Sequence, residues 1–134
     1  MNSAGNEEIY EGELVTHDGL YCKVNENEPF SGLYRESYGN GQPSEEVTYK
    51  DGKLEGPNKR WYKDGQMWND NPYKDGRREG LHRWWYANGQ LWQEVTYRDG
   101  KRNGLWRRWL DNGEIDSETC WANDKLVDIS VCRP

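Results

Sequence analysis

"YKDGRREGLHRWWYANGQLWQEVTYRDG", residues 73–100, sets four aromatic residues within ten positions between regularly placed glycines. Its spacing recurs along the chain. Gly32, Gly56, Gly80 and Gly104 are 24 residues apart, and so are Gly41, Gly65, Gly89 and Gly113. Gly52, Gly76 and Gly100 keep the same step, as do Tyr49, Tyr73 and Tyr97, with Trp121 as the fourth member, and Trp61, Trp85 and Trp109. A fixed period of this size without gaps means one supersecondary unit stacked on copies of itself.

The turns identify the unit. Asn-Gly or Asp-Gly stands at 40–41, 64–65, 88–89 and 112–113. These dipeptides favour the positive φ of type I′ turns, so each unit reads as a two-stranded hairpin. A two-residue turn at Asn88-Gly89 places Tyr86 opposite Leu91, Trp85 opposite Trp92 and Arg83 opposite Glu94. The same register sets Arg35 against Glu46, Lys59 against Asp70 and Arg107 against Glu118. A base meets an acid at the same rung of four units, and cross-strand pairs of this kind each contribute roughly 0.2–1 kcal/mol. The second connection of each unit, as in "DGKLEG" and "DGKRNG", reads as a wider return loop.

The fold expected is all-β: an elongated antiparallel β-meander of about ten strands built from 24-residue hairpin repeats, mostly one layer thick. Residues 1–24 read as capping strands, residues 25–48, 49–72, 73–96 and 97–120 as four repeats, and residues 121–134 as a capping half-repeat of a single domain. Capping is what a repeat stack requires, since an open sheet edge invites aggregation.

The pattern Y-x-D/N-G-x3-G-x4-W-Y/W-x-D/N-G resembles the variant MORN repeat of bacterial YwqK-family antitoxin proteins, and "GLYCKVNENEPFSG" at 19–32 is similar to that family's opening segment. The resemblance covers the chain from about Gly19 onward. It implies an immunity-type protein whose partner is a cognate toxin. It also implies export or lipid anchoring in many members, whereas "MNSAGNEEIYEG" has neither the basic nor the apolar region of a signal peptide.

Strand residues alternate between faces, which sorts the repeat by parity. One parity carries Lys59 and Trp61, Arg83 and Trp85, Arg107 and Trp109, nearly constant from unit to unit. The other carries Asn58 and Arg60, His82 and Trp84, Trp106 and Arg108, different each time. Repeated residues serve folding, and those that break the repeat are free to serve a site. Arg60, His82, Trp84, Trp106 and Arg108 are therefore the candidate partner-binding residues, extended by Asn69, Gln93 and Ser117, which fall opposite positions 60, 84 and 108. Trp and Arg are enriched at binding hot spots.

The net charge of −6 conceals a basic middle: residues 49–110 hold fourteen bases and eight acids, against ten acids and two bases before them and six acids and two bases after. Acidic flanks disfavour general polyanion binding, nucleic acid included. No apolar run is long enough to span a bilayer. Zinc spacings, nucleophile elbows and phosphate loops are absent, so neither enzyme nor cofactor is expected. Of the three cysteines, Cys120 and Cys132 flank the last return loop and fall nearly opposite each other. They read as a disulfide, which implies an oxidising compartment and a periplasmic mature protein. Two reduced thiols filling an apolar gap in a cytoplasmic protein are the alternative. The expected function is that of a monomeric immunity or antitoxin protein. A module for phospholipid headgroups, choline-like groups or sugars is the second possibility.

Overall fold

The computed structural model describes residues 8–133. Residues 1–7 of the expected N-terminal cap, and Pro134, lie outside the described residues. The chain is all-β. In order, its strands are β1 (Ile9–Tyr10), β2 (Leu14–His17), β3 (Leu20–Lys23), β4 (Gly32–Ser37), β5 (Pro43–Lys50), β6 (Lys53–Trp61), β7 (Met67–Asp70), β8 (Tyr73–Lys74), β9 (Arg77–Arg78), β10 (Gly80–Trp85), β11 (Leu91–Arg98), β12 (Lys101–Trp109), β13 (Ile115–Ala122) and β14 (Lys125–Val127), followed by a 3-10 turn at Ile129–Val131. One twelve-stranded sheet runs from β1 to β14, and β2 and β3 form a separate hairpin. The sheet is a meander with one exception to the expected antiparallel order: β1 pairs β4 in parallel.

The turns differ from the expected assignment. Asp51-Gly52, Asp75-Gly76 and Asp99-Gly100 have positive φ at both residues, as type I′ turns require, and close tight two-residue hairpins at Lys50↔Lys53, Lys74↔Arg77 and Arg98↔Lys101. The connections expected to be wide are therefore the narrow ones. At Asn88-Gly89 only the glycine has positive φ, at 89°. Gly89 N–H donates to the Tyr86 carbonyl and Tyr86 N–H to the Gln90 carbonyl, so the loop has three residues, a type I turn ending in left-handed glycine. A bulge follows, in which Trp84 faces Gln93 but Trp85 faces Leu91. Trp92 is thereby displaced from the position opposite Trp85 that a two-residue turn would give it. The same shift recurs at Arg60/Trp61 and Arg108/Trp109.

Below the bulge the expected rungs hold, and they join across units. Arg35, Glu46, Lys59, Asp70, Arg83, Glu94, Arg107 and Glu118 are successive neighbours across the sheet, alternating in sign throughout. Charged atoms close to 2.9 Å at Arg35–Glu46, 3.5 Å at Arg83–Glu94 and 3.0 Å at Arg107–Glu118. Arg107 also reaches Glu94 at 3.7 Å, linking two hairpins.

Two further devices weld unit to unit. At the three-residue loops, Tyr38, Tyr62 and Tyr86 donate their phenols to the carbonyls of Trp61, Trp85 and Trp109 at 2.6, 2.6 and 2.7 Å. Leu110 ends this series of ring positions in the last unit. At the type I′ turns, the amides of Gly52, Gly76, Gly100 and Asp124 donate to the carbonyls of Phe30, Leu54, Arg78 and Arg102. Gly52 also packs closely: a Cβ there would lie 2.8 Å from Leu20 Cβ and 3.0 Å from Pro29 Cβ.

The core is thin and follows the variable parity. Phe30, Val47 and Tyr49 form its N-terminal part, against which Tyr10, Leu14, Tyr34 and Leu54 pack, and His82 and Val95 are buried further along. At the other end Cys120 and Cys132 are bonded across a separation of 12 residues, tying the terminal turn to β13. Cys22 is buried and free.

Candidate functional site

The site grows from the row beside the charge ladder. Glu36, Glu45, Arg60, Asn69, Trp84, Gln93, Arg108 and Ser117 are cross-strand neighbours in that order. At about 4.8 Å per strand the row is about 34 Å long. Every unit supplies two members and no two units supply the same pair.

The structure places the candidate residues in four settings. Arg60 is exposed but occupied: its Nε donates to Glu45 Oε2 at 2.9 Å and its guanidinium lies 5.6 Å from the Trp68 ring centre. Trp84 stands half-buried in mid-row between Asn69 and Gln93, and Asn69, expected to extend the surface, is itself buried beneath its neighbours at 5% exposure. Trp106, Gln93 and Arg108 form a cluster at the C-terminal end. Gln93 Oε1 accepts from Trp106 Nε1 at 3.1 Å and from Arg108 Nε at 3.2 Å, and the Arg108 guanidinium stacks 4.8 Å from the Trp106 ring. Arg60 and Arg108 are four strands apart, so the five candidates do not form one compact patch.

His82 is fully buried at 0% exposure, which removes it from any surface a partner could touch. Its position follows from Pro72, which interrupts the strand that runs unbroken in neighbouring units and brings no N–H to the ladder. His82 Nε2 donates to the Pro72 carbonyl at 2.8 Å, and the ring packs on Tyr97 at 4.7 Å, Tyr73 at 5.8 Å and Trp84 at 6.2 Å. Burial holds its pKa down to about 4, with the Arg78 charge adding to the shift against the Pro72 hydrogen bond. The ring is neutral, with Nδ1 buried and without a hydrogen-bond partner among the described residues. It packs beside Trp84 on the same face of β10.

Residues outside the expected set complete the C-terminal end. Trp121 lies 5.8 Å from Trp106, and Arg102 stacks on Trp121 at 4.0 Å and on Trp106 at 5.4 Å while pairing with Asp124 at 3.0 Å. Trp106, Arg108, Ser117, Thr119 and Trp121 line a cleft of about 180 Å³. The substitution of Trp for the repeated Tyr at 121 was the available signal. A second feature lies along one long edge, where Lys50, Lys53, Lys74, Arg77, Arg98 and Lys101 flank the type I′ turns as exposed like-charged pairs. Such pairing opposes strand association.

Among the described residues no group of three or more His, Cys, Asp or Glu is placed to hold a metal ion, and no helix is long and apolar enough to cross a membrane. No curated protein matches the chain. The family described as MORN repeat variant matches residues 30–51, 54–75 and 78–99, in steps equal to the period of the sheet. Residues 30–99 thus match three consecutive MORN-variant repeats, modules of a binding type rather than a typically catalytic one.

Proposed function

We propose that this protein is an immunity or antitoxin protein that binds and neutralises a cognate toxin through the non-repeating face of its sheet. The single observation that carries a protein-binding reading is the row from Glu45 to Ser117, in which a rigid, repeated frame carries different side chains from unit to unit and, buried Asn69 apart, leaves them at least partly exposed. An extended, pre-organised β-surface loses little entropy on docking. Half-buried Trp84 and Trp106 and exposed Arg108 supply anchors of the residue types that dominate hot spots. The toxin itself is suggested by the family resemblance. The Cys120–Cys132 bond supports an oxidising compartment, hence a periplasmic protein.

The test is co-expression with the product of the neighbouring gene. Rescue of growth, a salt-resistant complex, and loss of both in a Trp84→Ala/Arg108→Ala double variant are expected. Killing that continues in the presence of folded protein counts against the reading.

The basic edge at the type I′ turns favours a second reading, docking on an anionic envelope surface through Lys50, Lys53, Lys74, Arg77, Arg98 and Lys101. Retention on anionic vesicles that declines as salt rises would support it. Neutral vesicles serve as the control.

A further inference from the structure

The last unit departs from the one before it at two ring positions. At positions 106 and 121 it places two indoles where the preceding unit has His82 against Tyr97 at 4.7 Å, and the wider 5.8 Å pair leaves the cleft of about 180 Å³ open at the surface. That volume is well under the roughly 300–1,000 Å³ of pockets that enclose a drug-sized ligand. It suits a single side chain.

The polar groups around it define what that side chain carries. Both indole N–H groups are already used: Trp106 Nε1 donates to Gln93 Oε1 at 3.1 Å and Trp121 Nε1 to Thr119 Oγ1 at 2.8 Å. Arg102 is balanced by Asp124 at 3.0 Å. Arg108 is not: only its Nε is engaged, by neutral Gln93, and among the described residues no carboxylate lies within ion-pair distance of it. Its two terminal nitrogens remain free beside the exposed Ser117 hydroxyl. A guanidinium with two parallel donors matches a carboxylate bidentately. A cationic group is disfavoured, because Arg102 and Arg108 already occupy the Trp106 ring at 5.4 and 4.8 Å.

We infer that the Trp106–Trp121 cleft is a socket for one carboxylate side chain of a protein partner, gripped by Arg108 and Ser117 with its methylenes resting against the indole pair. The inference rests on the protein-binding reading above and names the chemistry of the residue that enters. One unpaired guanidinium supplies a single positive charge and the hydroxyl a further hydrogen bond, which favours a carboxylate monoanion over a phosphate dianion.

The probes are N-acetylglutamate and N-acetylaspartate, with N-acetylglutamine as the neutral isostere and inorganic phosphate at matched ionic strength as the alternative anion. In 15N-labelled protein, the indole resonances of Trp106 and Trp121 and the Nε–H of Arg108 are expected to shift saturably with either acid at tens of millimolar, while Trp61 and Trp85 stay still. Loss of the charge-assisted pair in Arg108→Gln should weaken binding by about tenfold or more, with the backbone spectrum otherwise preserved. Ser117→Ala, at an exposed position, should weaken it without risk to the fold. Equal shifts with N-acetylglutamine, tighter binding of phosphate, no saturable shift, or full binding by folded Arg108→Gln would each overturn the socket. Growth rescue by a variant that has lost the carboxylate response would also overturn it as the partner's anchor, while leaving the protective function standing. Carboxylate binding by a protein that rescues nothing would do the reverse.

Discussion

The phenol of Tyr86 donates to the carbonyl of Trp109, 2.7 Å away and one whole repeat further along the chain. Tyr38 and Tyr62 make the same bond to Trp61 and Trp85. The hydrogen bond ties the tip of one hairpin to the shoulder of the next, on the side where the bulge would otherwise loosen the stack. Tyr86→Phe keeps the ring and removes only the donor. Each such substitution should cost about 0.5–1.5 kcal/mol, and Tyr38→Phe combined with Tyr86→Phe should cost about the sum, because the two bonds share no partner. Urea denaturation followed by tryptophan fluorescence measures both. A neutral double variant would show that units are held by the ladder alone.

The charge ladder behaves differently from isolated ion pairs. Arg83 lies between Asp70 and Glu94, and Glu94 between Arg83 and Arg107. Arg83→Glu should destabilise by about 1 kcal/mol, the upper end for exposed pairs. Exchanging both partners, Arg83→Glu with Glu94→Arg, would restore an isolated pair, but here it sets a new acid beside Asp70 and a new base beside Arg107, and both contacts repel. The swap is expected not to recover stability, and 1 M salt should shrink the deficit. Full recovery in the swapped variant would mean that the rungs act independently.

His82 sets an acid limit. Its folded pKa, about 4, lies below the ordinary 6.5, so the unfolded chain binds the proton first as pH falls. Stability is complete above pH 6.5 and is lost between 6.5 and 4, by up to about 3 kcal/mol at 1.36 kcal/mol per unit. His82→Gln, which can still donate to Pro72, should lower stability at neutral pH but flatten the loss over that window. An unchanged pH profile in the variant would place the acid sensitivity elsewhere.

The Cys120–Cys132 bond closes a short loop at the C-terminal cap. A loop of this length contributes about 3 kcal/mol in the chain-entropy account. Reductant, or Cys120→Ala with Cys132→Ala, should lower the unfolding midpoint and first expose amides of β13 and β14 to hydrogen exchange. Uniform exchange across the sheet would contradict a local cap.

How far the sequence was legible follows from these residues. The 24-residue step and the pairings Arg35–Glu46, Lys59–Asp70, Arg83–Glu94 and Arg107–Glu118 could be read directly, because opposite charges at a fixed offset leave one register. The turn types could not. Asn-Gly fits a type I′ turn, but it also fits a three-residue loop with only the glycine left-handed, and Asn88 Oδ1 accepting from Gln90 N–H at 2.9 Å accompanies the second form. Burial was hidden as well. Variation from unit to unit at 58, 82 and 106 suggested a free surface, yet Asn58, His82 and Trp106 are alternative fillings of one partly buried row, fully buried at His82 and half-buried at Asn58 and Trp106.

Cross-strand backbone NOEs in solution provide the most direct test, because the whole account depends on which residues share a rung. The expected result is Arg60 beside Asn69, Asn69 beside Trp84, Trp84 beside Gln93 and Gln93 beside Arg108, with Trp85 opposite Leu91. A pattern that sets Trp85 opposite Gln93 would move every side chain to the other face, putting the repeated tryptophans where the individual ones are claimed to be, and would contradict it.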